Sequence, residues 1–285
     1  MNYGADPKEL ARRVRREIMR REQVAAFALS GNRRIWNDVL MDLGKITCNP
    51  DISPIRIVKQ LNTYFRKFDE IRVEDRAYLV LQAGKGKRNF DGWLMTVAAD
   101  LHPLVENETS LVVRATTFHM GRKMGYARDS FLAALSTHAL TRIQERSTFS
   151  VDNVIDALLL SGMLAMHLST KLESGEDREI MVRFEDTVLA GAIRLVGDPR
   201  NPYANHMIDY RTALDANTMT DEQLARANAA GLLAFDLFEG KPNNTVLDLP
   251  PARSDWVNTH ATRVGGPVLI PTEASHEAVL LRTGN

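Results

Sequence analysis

The sequence predicts an α+β fold, with a helical N-terminal region, then a helix pair and a short antiparallel sheet, closed by an extended C-terminal tail. Three observations predict it. Apolar residues recur at helical spacing up to about residue 70. From residue 77 onward, short runs of strand formers alternate with polar turns. Beyond residue 240, Pro250-Pro251 and Gly265-Gly266-Pro267 interrupt a stretch with few periodic runs. The expected divisions are 1–70 (helical region), 71–240 (helix–sheet body) and 241–285 (tail).

Composition sets the bounds. The chain has 285 residues, 44% hydrophobic and 25% charged, which excludes a disordered, collagen-like or disulfide-stapled protein. Cys48 is the only cysteine, so neither an internal disulfide nor a cysteine-based zinc site is expected, and cytoplasmic residence is the default. The longest apolar run, 157–166, is broken by Ser161 and Gly162 and falls short of the ~20 residues of a membrane span. MNYGADPKEL has no apolar h-region, so no secretory signal is expected.

The first helix is expected over 5–29, with Leu10, Val14, Ile18 and Phe27 near helical spacing and Gly31 as its stop. Between Lys8 and Arg21 it carries seven basic residues against Glu9 and Glu17. Two readings stand. Arg12, Arg13 and Arg16 belong to a phosphate-binding arm, or the helix is a solvated surface stitched by Glu9–Arg13 and Glu17–Arg21 at i,i+4. Two further helices are expected at 33–43 and 55–68, separated by Asn49-Pro50 and Ser53-Pro54.

Residues 77–82 and 93–98 then read as a hairpin around a turn with Lys85, Lys87 and Arg88. That turn is either a phosphate cradle or a solubilising tip, and its spacing is not that of a P-loop. A strand at 111–118 leads through a second basic turn to a helix opened by Asp129 or Ser130 and ending near Arg146. Ser150 is the expected N-cap of a helix over 151–172, apolar enough to be buried on more than one side. A hairpin (180–184 and 188–196, turning near Asp186) and a strand at 206–214 follow. Thr220-Asp-Glu-Gln223 is a capping box for a helix running to Phe238 and stopped by Gly240. Val268–Ile270 is expected as an edge strand.

Charge is bipolar although the net charge is zero: residues 1–150 hold 25 basic and 17 acidic side chains, and the remainder carries the opposite excess. The basic half either faces a polyanion or matches the acidic half, within a chain or between copies.

His138, Arg142 and Arg146 recur at i, i+4, i+8, so on a helix they share one face. An imidazole above two guanidinium forks suits a phosphodiester. Arginine matches two phosphate oxygens, histidine exchanges protons near neutral pH, and RNA supplies its own 2′-hydroxyl nucleophile. The seven histidines form no metal-ligand spacing, so neither metal nor cofactor is expected.

The run His138-Ala-x-x-Arg142-x-x-x-Arg146, followed by a capping serine and a helix with Val154, Ile155 and Leu158, resembles the helix pair of small bacterial RNase-toxin domains. These belong to the barnase, colicin-type and RelE-type fold group. The resemblance covers about 131–214 and implies two helices before an antiparallel sheet of about four strands. It further implies an acid/base role for His138 and phosphate-orienting roles for Arg142 and Arg146. On the last strand, His206, Tyr210, Arg211 and Thr212 would supply the partner acid and phosphate contacts, with His206, Tyr210 and Thr212 sharing a face and Arg211 pointing away.

The expected function is therefore metal-independent RNA cleavage or RNA binding. The alternative is a structural subunit of a phage-like or mobile-element particle, or a non-catalytic nucleic-acid-binding module. RNA or another nucleic acid, and further copies of the chain or an assembly partner, are the expected partners. No membrane role is expected.

Overall fold

The computed structural model describes residues 6–30, 56, 59, 78–83, 90–120, 124–147, 149–172, 177–197, 204–253 and 267–271. The chain opens with α1 (Pro7–Ser30) and continues into four strands, β1 (Tyr78–Ala83), β2 (Phe90–Leu101), β3 (Thr109–Met120) and β4 (Met124–Ser136). Then come α2 (Thr137–Arg146) and α3 (Val151–Ser169). A second set of strands follows: β5 (Arg178–Phe184), β6 (Thr187–Val196) and β7 (Asn205–Asp215). A 3-10 turn leads to α4 (Asp221–Phe238), and β8 (Pro267–Pro271) comes last. The expected helix at 33–43 and the basic turn with Lys85, Lys87 and Arg88 lie outside the described residues; of the helix at 55–68 only Arg56 and Lys59 are described, both helical.

The structure is α+β, but its sheet is neither short nor purely antiparallel. Eight strands join in the order β1-β2-β3-β4-β7-β6-β5, with β8 on the outer part of β4. Two antiparallel meanders, β1 to β4 and β5 to β7, meet at a parallel seam where Ala133–Leu135 pair with Ile208–Tyr210. Four strands thus precede the helix pair and share a sheet with the three that follow it.

The largest correction falls on residues 129–136, expected as helix and found as the end of β4. Leu132 to Ser136 are all buried. A strand covered on both faces shows no alternation, and a continuous apolar run reads equally as helix. The helix starts only at Thr137, where the Ser136 side chain accepts from the Ala139 N–H. Val268–Ile270 does pair, within β8, against Ala127–Gly125 of β4.

Elsewhere local signals decide the structure as expected. Ser150 and Thr220 each form a reciprocal capping box, with Asn153 and Gln223. Gly240 stops α4 at φ +69°, a conformation L residues rarely adopt.

One face of the sheet carries the main core. Met95, Leu111, Val113 and Leu135 meet Leu158 and Leu164 of α3, Leu140 and Ile143 of α2, and Ala11, Val14 and Ile18 of α1. The N-terminal helix therefore shares the core of the body. Among the described residues, α3 alone has the length and apolarity of a membrane span, and most of that stretch is buried within the protein. Its Gly162 lets the helix approach the sheet: a Cβ there would lie 2.6 Å from Met95 Sδ.

The opposite face has a smaller core of Ala98, Val112, Ala134, Val196 and Met207, covered by Leu104 from the β2–β3 connection. The outer edge of β5 is closed as well. α4 lies so near that a Cβ on Gly231 would sit 2.4 Å from the Arg183 carbonyl oxygen. Nearby, the Glu179 N–H donates to Pro250 O (2.7 Å) and the Ala252 N–H to Asp177 O (3.0 Å).

Candidate functional site

The cationic surface is built by α1 and α2, which pack side by side. Ala11, Val14 and Ile18 anchor α1 in the core, so the positions between them face outward. Arg12, Arg16 and Arg20 form an i, i+4, i+8 stripe whose side chains are 69%, 67% and 64% exposed. Arg13 is exposed beside them.

Glu9 and Glu17 both lie along this stripe. Glu9 accepts from Arg16 (2.6 Å) and more distantly from Arg12 (3.5 Å), not from Arg13 as the i,i+4 spacing suggests. Glu17 accepts from Arg20 (2.9 and 2.8 Å) and from Arg21 (3.0 Å). The hydrogen bonds from Arg20 and Arg21 hold the Glu17 carboxyl down to about 2. Arg21 also reaches Asp152 (2.8 Å), tying α1 to the start of α3, and Asp152 raises its pKa.

On α2, His138 is exposed and Arg142 is half-buried with its Nη1 on Glu145 (2.6 Å). Arg146 Nη1 donates to the Ala213 carbonyl of β7 (2.5 Å). The triplet therefore sits at the rim of α2, but its two forks are engaged by the protein itself.

The partner groups expected on β7 do not join it. Ser136, where α2 begins, stands one residue beyond the Leu135–Tyr210 pair, hence five residues further along than His206, roughly 17 Å at strand rise. His206 is buried, its backbone N–H donating to Ser169 Oγ (3.2 Å), and burial pushes its pKa down against the opposing pull of Asp177. Tyr210 is fully buried under α3. Ser161 Oγ donates to the Ala157 carbonyl (2.6 Å), so the Tyr210 hydroxyl donates to Ser161 Oγ (2.8 Å), and burial raises the phenol's pKa. Neither side chain meets solvent as a substrate contact must. Thr212 is half-buried and lies next to Ala213, so among the three β7 residues it is the one near Arg146.

Arg211 points away from Tyr210 as expected, but β7 bulges there, so Thr212 does not share the Tyr210 face: Ala213 joins Tyr210 in the main core instead. Gly191 pairs with Tyr210 while Ala190 pairs with Thr212. On the far face, beside Asp209, Arg211 joins a buried charge cluster whose partners sequence spacing does not reveal. His102 Nδ1 accepts from the Leu104 N–H (3.0 Å), which leaves its proton on Nε2 to donate to Asp209 Oδ1 (3.0 Å). Arg211 Nη2 lies 2.7 Å from Asp209 Oδ2, off the line of a hydrogen bond, and Arg194 Nη1 lies 3.7 Å away. Glu108 and Asp177 complete the balance at Arg211 and Arg194 (3.3 and 3.1 Å). This dyad has the residue types of a proton relay. However, the second nitrogen of His102 is already bonded to backbone and both side chains are fully buried, so it fastens the β2–β3 connection over the sheet instead.

Among the described residues, no three His, Cys, Asp or Glu side chains converge as a metal ion requires. A water-sized recess lined by Glu179, Met181, Arg226, Leu247 and Asp248 belongs to β5, α4 and the following segment, not to α1 or α2.

Compared with protein-family models, with curated proteins and with solved structures, the chain matches none of them.

Proposed function

We propose that this chain is a cytoplasmic nucleic-acid-binding module, with RNA as its expected partner and the α1–α2 surface as its contact face. The observation that carries the reading is the exposed stripe of Arg12, Arg16 and Arg20 on a helix held against the body by its apolar side. Seven basic residues over Lys8–Arg21 outnumber Glu9, Glu17 and Asp152, the carboxylates seen to reach them. Such a surface gains affinity by displacing condensed counterions from phosphates.

Binding is favoured over cleavage. An RNase-toxin mechanism needs an acid, a base and free forks around one phosphate. Here Arg142 and Arg146 are engaged by Glu145 and the Ala213 carbonyl, and Tyr210 and His206 are buried. The test is fluorescence anisotropy with labelled RNA. Arg12→Glu/Arg16→Glu/Arg20→Glu should weaken binding at least tenfold at low salt, and RNA held with the protein in EDTA should acquire no 2′,3′-cyclic phosphate ends. Unchanged affinity in the triple variant ends the binding reading, and cyclic ends lost in His138→Ala would restore the cleavage one.

A second reading, an assembly subunit or homo-oligomer, draws on α4, where Leu232 and Phe235 are exposed near Asp236 and Glu239. Concentration-dependent sedimentation without nucleic acid, abolished by Leu232→Glu, would support it.

A further inference from the structure

We infer that the α1–α2 face takes double-stranded nucleic acid in preference to single strands, and binds its phosphates without regard to sequence. This rests on the nucleic-acid reading above and adds the class of ligand.

The first ground is what the face lacks. Residues 7–21 of α1 and all of α2 contain no Phe, Tyr or Trp. Proteins that hold single strands rely on base–aromatic stacking, worth about 1–3 kcal/mol per base. Without stacking, affinity follows the density of phosphate charge.

The second ground is geometric. Four residues of helix rise about 6 Å, so Arg12 to Arg20 spans about 12 Å. A duplex places roughly seven charges along that length of axis and one strand only half as many, at about 1.7 and 3.4 Å per charge. A helix anchored by Ala11, Val14 and Ile18 meets a preformed duplex without the ordering cost that a flexible single strand pays on binding.

The third ground is that, His138 aside, the described face has few neutral side chains left to read base edges. Residues 7–21 hold no Ser, Thr, Asn or Gln. On α2, Thr137 Oγ1 donates to the Thr109 carbonyl, Thr141 Oγ1 to that of Thr137, and Gln144 Nε2 to that of Phe149. The face therefore offers positive charge and little else, the chemistry that positions a protein on a backbone without reading sequence.

The experiment uses the full chain, a labelled 20-base-pair RNA duplex, its two separate strands and a scrambled duplex, titrated by anisotropy at several salt concentrations. The duplex is expected to bind at least fivefold tighter than either strand at low salt, with the scrambled duplex within twofold. Arg16→Glu should flatten the logarithmic salt slope on the duplex by about one unit. Single strands binding as tightly as the duplex, or duplexes differing more than fivefold by sequence, overturn this inference and leave the nucleic-acid reading standing. Binding to none of the probes overturns both.

Discussion

Replacing Asp209 with alanine tests the buried cluster most directly. His102 and Asp209 have fully buried side chains, while those of Arg194 and Arg211 are 6% and 18% exposed. Asp209→Ala removes the acceptor for His102 Nε2–H and the carboxylate that faces both guanidinium groups. Breaking a buried ion pair from one side costs about 3–5 kcal/mol, because the other charge stays buried without its partner. Loss of the His102 hydrogen bond overlaps with that penalty, so we expect about 4 kcal/mol in total. Against a usual folding stability of about 5–15 kcal/mol this is a large fraction. It corresponds to a fall in Tm of roughly 10 °C for a chain of this size. Urea unfolding followed by far-UV circular dichroism reads it. Asp209→Asn keeps the shape and one acceptor and should lose less. A cycle with His102→Ala should show coupling above about 0.5 kcal/mol. A cost below about 1 kcal/mol for Asp209→Ala, or strict additivity with His102→Ala, would refute the claim that this cluster fastens the β2–β3 connection.

Three further outcomes are expected. Glu9→Gln frees Arg16 and Arg12, and one charge contact near 4 Å in water is about 1 kcal/mol, so RNA should bind about fivefold tighter at low salt, an effect that disappears at high salt; unchanged binding in the anisotropy assay would count against the stripe as the contact face. Glu17 has a folded pKa lowered to about 2 from its ordinary value of 4.5, so its contribution to stability is present above 4.5 and disappears as the pH falls towards 2; with both Arg20 and Glu17 solvent-accessible it amounts to under about 1 kcal/mol, and Glu17→Gln should flatten that part of the acid-denaturation curve. Gly191→Ala would place a Cβ 1.9 Å from the Asp209 carbonyl oxygen and should destabilise by about 3 kcal/mol or more, whereas Gly240→Ala, in open space at φ +69°, should cost about 1 kcal/mol; similar losses for the two in thermal unfolding would contradict the close β6–β7 approach.

What the sequence reveals is what neighbouring residues decide. The Ser150 and Thr220 caps, the turn at Asp186 and the stop at Gly240 depend on a few consecutive side chains, and each is found where the pattern puts it. The cationic stripe of α1 is legible for the same reason, though local spacing assigned Glu9 to Arg13 and the rotamers give it to Arg12 and Arg16. Residues 131–136 are not legible as strand, because burial on both faces erases the alternation that identifies one. The burial of Tyr210 follows from α3 lying over β7, a tertiary event. The pairing of His102 with Asp209 joins residues 107 apart and leaves no mark in any window. Even the face on which Thr212 lies depends on a single bulge opposite Gly191.

The parallel seam bears on how the chain acquires its shape. Each meander can zip through short sequence separations, whereas Ala133 meets Ile208 only after a loop of about 75 residues has closed, at an entropic cost near 4 kcal/mol. Three residue pairs cannot offset that alone. α3 lies across the seam, touching β4 and β7 together, and so acts as the splint that makes two separately nucleated half-sheets into one. Amide exchange should therefore show the two halves opening as distinct cooperative units when α3 is loosened, with the seam amides the first in the sheet to lose protection.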